Sequence, residues 1–196
     1  WYSQHGGFII SCTIDKYLYL SLRRLPNFFK KKNRVLYSLI EETNRLQDIK
    51  LSPIKKILGH EKFKNGLEIH YDGELPAQSG VGSSSAFVVG LANICSKLKK
   101  YNLSKKKLTN LSIFYEQKIL KETVGIQDQI ASVYGGLNFI KISKNGNFHV
   151  EKIFKNNFDL KLLSNNLILI YTGVQKIKNS ELKKYVNTLQ NQKETM

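Results

Sequence analysis

The chain has 196 residues, 41% of them hydrophobic, and its 31 Lys and Arg against 15 Asp and Glu give a formal charge of +16. That apolar content excludes a disordered chain, and the length suits one substantial core or two small ones. The lysines are scattered (Lys30 to Lys32, Lys99 and Lys100, Lys105 to Lys107) among many Asn and Ile residues, which favours a solvated basic surface over a dedicated nucleic-acid face.

From Gly6 to Leu22, "GGFIISCTIDKYLYLSL" predicts two extended segments, with β-branched and aromatic residues alternating with polar ones. A short apolar run, "RVLYSLI", follows the basic patch after Pro26. "SPIKKILGH" then has the Ser cap, early Pro and periodic Ile and Leu of a short helix. "GLEIHYDGEL", from Gly66 to Leu75, alternates Leu67, Ile69 and Tyr71 on one face with Glu68, His70 and Asp72 on the other, as a strand with one wet face does. "SAFVVGLANICSKLKK" is apolar around most of its circumference and ends in lysines, the pattern of a buried helix. "SKKKLTNLSIFYEQKILKE" predicts a second helix capped at Ser104, with a break near Gly125. "VYGGLNFIKI" and "FHVEKI" read as a hairpin around an Asn145-Gly146 turn. "NNLILIYTG" reads as one more buried strand, and the tail from Lys176 as a polar helix. The order is sheet, helix pair, sheet, so the class is α+β and not a regular parallel alternation.

Cys12 and Cys95 lie in apolar runs far apart and are expected as buried thiols in a reducing compartment; two cysteines build neither a disulfide framework nor a zinc site. No spacing among His5, His60, His70 and His149 suggests a metal centre, and surface or sheet roles are expected for them. No run approaches the roughly 18 apolar residues of a membrane span, and no charged-then-apolar leader opens the chain, so a cytoplasmic location without membrane contact is expected.

Chemistry concentrates in two places. "ELPAQSGVGSSSAF", Glu74 to Phe87, puts two glycines and three serines between an apolar strand and an apolar helix. Glycine lets backbone N–H groups approach a ligand, and the helix start offers unpaired N–H groups at the positive end of its dipole, a setting that binds phosphate. The Ser83, Ser84 and Ser85 hydroxyls can donate to phosphate oxygens or ligate Mg²⁺, or one of them is an N-cap. The loop lacks both G-x-G-x-x-G and the lysine of a P-loop. In "EQKILKETVGIQDQIASVYGG", Glu116 to Gly136, Asp128 follows a glycine turn and precedes an apolar helical start, as a rigidly held carboxylate or an N-cap. Glu116, on the preceding helix, reads by itself as a solvated acid.

Together these segments resemble the GHMP small-molecule kinases. "PAQSGVGSSSAF" is similar to that family's phosphate-binding motif P-x-x-x-G-L-G-S-S-A/S, matched at Pro76, Gly80, Gly82, Ser83 and Ser84, with Val81 in place of leucine. "GIQDQIASVYGGLNF" resembles the segment bearing the catalytic aspartate in the sugar branch. With "TIDKYLYL" upstream, the chain looks most like the D-glycero-D-manno-heptose 7-phosphate kinases, over about Gly6 to Gly173. The resemblance implies an N-terminal domain of the ribosomal protein S5 domain 2-like fold over residues 1–160, and the start of a ferredoxin-like α+β domain over 161–196. It implies ATP and Mg²⁺ as ligands and a sugar phosphate as substrate. Gly80, Val81, Gly82, Ser83, Ser84 and Ser85 would hold the ATP phosphates, Ser84 and Glu116 would ligate Mg²⁺, and Asp128 would act on the attacking hydroxyl. Family members carry a further strand and a "GGGTD"-like motif ahead of Trp1 and continue past Met196, so the chain is expected to be a fragment. A basic nucleic-acid-binding module with an S5-like fold, or an inactive nucleotide-binding fragment, is the alternative.

Overall fold

The computed structural model describes residues 5–76, 79–153 and 157–170. Chain order runs β1 (Gly7–Cys12), β2 (Leu18–Arg24), β3 (Asn33–Leu36), β4 (Ile40–Thr43), α1 (Ser52–His60), β5 (Leu67–Gly73) and α2 (Ser83–Leu98). It continues through α3 (Lys105–Phe114), α4 (Gln127–Tyr134), the hairpin β6 (Leu137–Ile142) and β7 (Phe148–Lys152), and α5 (Asn157–Asn165). One sheet has the order β2-β5-β3-β4, with β3 and β5 parallel and the other pairs antiparallel; the other is the antiparallel sheet β1-β6-β7. The mixed α/β architecture bears out the α+β reading.

The period of two decides which face of the larger sheet is covered. The register pairs Leu22 with Ile69 and Leu20 with Tyr71, so their apolar side chains share one face. Helices α1 and α2 close that face with Ile54, Ile57, Leu58, Val88, Leu91, Ala92 and Cys95 around Val35, Leu67 and Ile69. Each such side chain contributes roughly 1.5–3 kcal/mol when fully buried. Helix α2 lies unusually close to β2 because position 90 has no side chain: a Cβ on Gly90 would fall 2.7 Å from Leu20 Cδ1. Tyr115 is fully buried among these residues, and its hydroxyl donates to Glu61 Oε1 at 2.5 Å. Burial, reinforced by Glu61, pushes its pKa far up. A smaller cluster of Ile126, Ile130, Ile140, Ile142 and Phe148 lies between α4 and the three-stranded sheet.

Several expectations are corrected by the packing. Cys95 is buried and its thiol is pushed up to about 12 by burial, but Cys12 is exposed, because alternation along β1 puts it on the outer face with Phe8 and Ile10. The expected wet face of β5 is closed at Glu68, which is only 3% exposed. Arg23 Nη2 at 2.7 Å, Arg34 Nη1 at 3.2 Å and His70 Nε2 at 3.0 Å cover its carboxylate. Ser52 is the first residue of α1 and not its cap; Leu51 takes the cap position with no side-chain bond. Ser104 does cap α3, accepting from Lys107 N. That helix loosens into a π-helical turn over Tyr115–Ile119 and stops before Lys121, which has a φ of 59°, ahead of Gly125.

The β6–β7 hairpin forms around Asn145 and Gly146, but with a three-residue loop. Gly146 N donates to Ser143 O and Ser143 N to Asn147 O, and Gly146 alone has positive φ, at 79°. Residues 166–170 form no strand and leave Leu167 to Ile170 exposed; the remainder of that expected strand and the expected polar helix beyond it lie outside the described residues. Helix α5 was not anticipated by any periodicity noted above. Among the described residues no helix is long and apolar enough to cross a membrane.

Candidate active site

An open groove of about 800 Å³ runs between the two sheets, and the glycine-serine loop forms one wall. Its other walls are the end of β1 with the loop into β2, the first turn of α4, and Gly135 and Gly136 ahead of β6. The local reasons are readable. Gly80 and Gly82 have φ of 82° and 79°, a region L side chains avoid, and they turn the chain sharply from the strand side into α2. Gly82 occupies the helix cap position with no side-chain bond, so none of the three serines is an N-cap. The first intrahelical bond runs from Ala86 N to Gly82 O at 3.0 Å. The N–H groups of the turn before it lack intrahelical partners.

Asp128 meets this loop. It is the second residue of α4, after Ile126 at the cap position, so it is not an N-cap, and its side chain reaches the groove. A Cβ built on Gly82 would lie 3.4 Å from Asp128 Cγ and 3.7 Å from Oδ1. A residue larger than glycine there would press on the carboxylate as well as strain the backbone. Gly80 has open space where its side chain would be. Backbone donors and a carboxylate thus lie side by side on the wall of the same cavity.

The serines divide. Ser83 lines a narrow recess of about 80 Å³ beside the groove, together with Val81, Ala86 and Tyr71. Ser84 is exposed. Ser85 is buried, and its hydroxyl donates to Glu116 Oε1 at 2.9 Å, within 3.1 Å of Oε2. Glu116 is fully buried, not a solvated acid, because the π-helical turn points it under the start of α2. The Gln129 amide, next to Asp128 in sequence, donates to Glu116 Oε2. Gln129 Oε1 is itself buried and has no hydrogen-bond partner among the described residues. One buried network therefore ties the loop, the π turn and the helix bearing Asp128.

This donor chemistry fits Mg²⁺. The cation takes hard oxygen ligands, and commonly only one or two carboxylates with substrate phosphates supplying the rest. The Glu116 carboxylate, the Ser85 hydroxyl on it and the orphaned Gln129 amide oxygen, close to the start of α2, are such oxygens. No group of three His, Cys, Asp or Glu suited to a metal occurs among the described residues, so zinc-type centres have no counterpart here. The histidines lie elsewhere: His60 against Phe114 and Tyr115, His70 on Glu68, His149 on Glu151.

One groove residue and one buried residue of the Glu116 network escaped the sequence reading. Lys16 stands in "TIDKYLYL", a stretch noted only for its strand pattern and its resemblance, and Gln129 lies beside the recognised aspartate.

A glycine loop at a helix start with a carboxylate set against it is a setting that suits phosphate, and comparison with known proteins shows what the chain is similar to. Residues 49–136 match the family model described as GHMP kinases N terminal domain. A curated D-glycero-alpha-D-manno-heptose 7-phosphate kinase from Campylobacter jejuni is 24% identical over 180 residues, covering 87% of this chain and 53% of that protein. A galactokinase from Pyrococcus furiosus is 26% identical over 137 residues, covering 66% of this chain and 38% of that protein. A crystal structure titled as a D-glycero-D-manno-heptose 1-phosphate kinase from Bacteroides thetaiotaomicron superposes with a TM-score of 0.68 at 21% identity, over 80% of this chain and 55% of that one. Over this stretch the chain is similar to the N-terminal domain of GHMP kinases, and it spans about half the length, or less, of these relatives.

Proposed function

We propose that this chain is the nucleotide-binding part of a sugar kinase that uses ATP and Mg²⁺. It passes the γ-phosphate to a hydroxyl of a sugar or sugar phosphate, with the anomeric hydroxyl of D-glycero-D-manno-heptose 7-phosphate as the first acceptor to try. The observation that carries this reading is the approach of Asp128 to Gly82, a carboxylate suited to an alcohol set 3.4 Å from where a Cβ on the phosphate-type turn would lie. Relatives whose names describe phosphorylation of heptose phosphates and galactose support it.

In this reading the backbone from Gly80 to Ser84 receives the ATP phosphates at the positive end of α2, assisted by the Ser83 and Ser84 hydroxyls. Ser84 and Glu116 hold Mg²⁺, with Ser85 and Gln129 fixing the Glu116 carboxylate from either side. The bound metal supplies neutralisation of phosphate charge. Asp128 accepts a hydrogen bond from the acceptor hydroxyl and aims its oxygen at the γ-phosphorus. The O–P bond forms as ADP leaves, and the hydroxyl proton passes to Asp128 late, since an ionised carboxylate is a weak base. In this reading the enzyme works in the cytoplasm, and the second domain expected over 161–196 falls mostly outside the described residues.

Isothermal titration with a non-hydrolysable ATP analogue, with and without Mg²⁺ and at two salt concentrations, tests this. Saturable binding that needs Mg²⁺ and weakens in Ser84→Ala is the expected result. Binding that ignores Mg²⁺ and Ser84 but collapses steeply with salt would instead mark a polyanion-binding module and sink the kinase reading.

A further inference from the structure

The groove is poor in charge although the chain is rich in it. Among the described residues, Lys16 and Asp128 are the only charged side chains on its walls, so one of the chain's 31 Lys and Arg faces the cavity. Lys16 also lines the adjoining recess beside Val81 and Ser83, which puts it at the junction of the two spaces. Some cations elsewhere on the domain are engaged, Arg23 and Arg34 with Glu68, Arg45 with Asp48, Lys99 with Glu61, Lys105 with the Tyr134 carbonyl. Lys16 has no hydrogen bond or ion pair among the described residues. The nearest acid in sequence, Asp15, is turned to the Tyr17 hydroxyl instead.

The backbone that carries Lys16 is held at both ends. Thr13 N donates to Gly136 O at 3.1 Å, and Gly136 N donates to Thr13 Oγ1 at 2.7 Å, which ties the loop to the groove floor. On the other side, Tyr17 N donates to Glu74 Oε2 at 2.5 Å and Glu74 N to Tyr17 O at 3.1 Å, which ties it to the end of β5. A lysine with a fixed root, a free head and a position beside a helix N-terminus adds a full positive charge to the backbone donors of the turn.

We propose that Lys16 is a phosphate-binding residue of this groove, giving its ammonium to a phosphoryl oxygen of a ligand seated against Gly80 to Gly82. The inference rests on the kinase reading. A phosphoryl group reaches the groove from either of two sources, the γ-phosphate of ATP or the phosphate of the acceptor. The same side chain serves them differently. On the transferred group it stabilises charge during reaction; on the acceptor's phosphate it selects phosphorylated sugars.

The test compares Lys16→Met and Lys16→Arg in the full-length protein, with Lys56→Met, an exposed lysine on α1, as the control for lost charge. Rates are measured with D-glycero-D-manno-heptose 7-phosphate and with the same heptose lacking its phosphate. A drop in kcat or rise in ATP KM of about 10- to 100-fold for Lys16→Met with both acceptors, the usual size for a lost charged hydrogen bond, places Lys16 on the transferred phosphate. A similar rise in KM confined to the phosphorylated sugar places it on the acceptor. Partial rescue by Lys16→Arg is expected in either case. If Lys16→Met stays within about twofold of Lys56→Met on every parameter, the proposal is overturned while the kinase reading stands. If the wild-type protein transfers phosphate to neither sugar, the kinase reading fails and this proposal fails with it.

Discussion

Glu41, in the four-stranded sheet, and Glu116, under the groove, are both buried carboxylates, and their partners differ in kind. Glu41 accepts from Lys50 N at 2.5 Å, Leu51 N at 3.1 Å and the Tyr37 hydroxyl at 2.8 Å. Two of those donors are backbone, so the carboxylate pins the chain entering α1 and cannot be released without disrupting that entry. Glu116 accepts from the Ser85 hydroxyl and the Gln129 amide, side-chain groups that can rotate without breaking any secondary structure. The first arrangement suits a staple; the second is compatible with the Mg²⁺-holding role proposed for Glu116. The same division runs through α2: its later turns, from Phe87 to Cys95, fill the apolar core, while in its first turn Ser83 borders the recess beside the groove and Ser85 bonds Glu116.

The largest expected effect breaks the comparison on the groove side. Asp128→Asn should lower kcat by about 10²- to 10⁴-fold, the range for a positioned acid or base. Affinity for the ATP analogue and the thermal midpoint should stay nearly unchanged, and an unchanged rate would remove Asp128 from the chemistry. Ile57→Ala, in the fully buried core, should do the reverse. It costs about 2–5 kcal/mol in urea unfolding, with nucleotide affinity retained in whatever fraction remains folded.

The pair of glutamates sharpens the contrast. Glu41→Gln should lose about 1–3 kcal/mol of stability, because a neutral amide replaces a carboxylate that receives three hydrogen bonds, without altering Mg²⁺-dependent binding. Glu116→Gln should reduce Mg²⁺-dependent nucleotide affinity more than it reduces stability. Equal behaviour of the two variants would erase the distinction.

The smallest effect is in acid. Burial pushes Glu41 up, but the hydrogen bonds from Lys50 N, the Tyr37 hydroxyl and Leu51 N outweigh it and hold the group below its ordinary value. Burial likewise opposes, and His70 and Arg23 outweigh, in lowering Glu68. A carboxylate with a depressed folded-state pKa contributes stability above the ordinary Glu value of about 4.3, and that contribution is lost as pH falls through the folded value. Thermal midpoints should therefore decline below about pH 5, less in Glu41→Gln than in wild type.

Much of this was legible along the chain. Alternation marked β2 and β5, an apolar β-branched run marked β1, the Ser104 cap marked α3, and the glycine-serine run marked a phosphate-type turn, because each is a property of neighbours within one or two turns of backbone. Cys12 and Glu68 were misjudged for the opposite reason. Whether a strand face is wet depends on what another segment lays over it, and Arg23 and Arg34 come from strands that only the register brings beside Glu68. The apolar run at 166–170 has strand composition but no partner strand among the described residues, and composition alone makes no ladder.

The sequence by itself determined most of the elements, the sharp turn at Gly80 and Gly82, and the types of side chain available for phosphate chemistry, since backbone freedom and side-chain functional groups belong to single residues. Only the tertiary structure decided that Asp128 lies against Gly82, that Ser85 and Gln129 bond to or pack on Glu116, and that Lys16 lines the groove. Those pairings join segments far apart in the chain, and packing around α2 sets the distances between them.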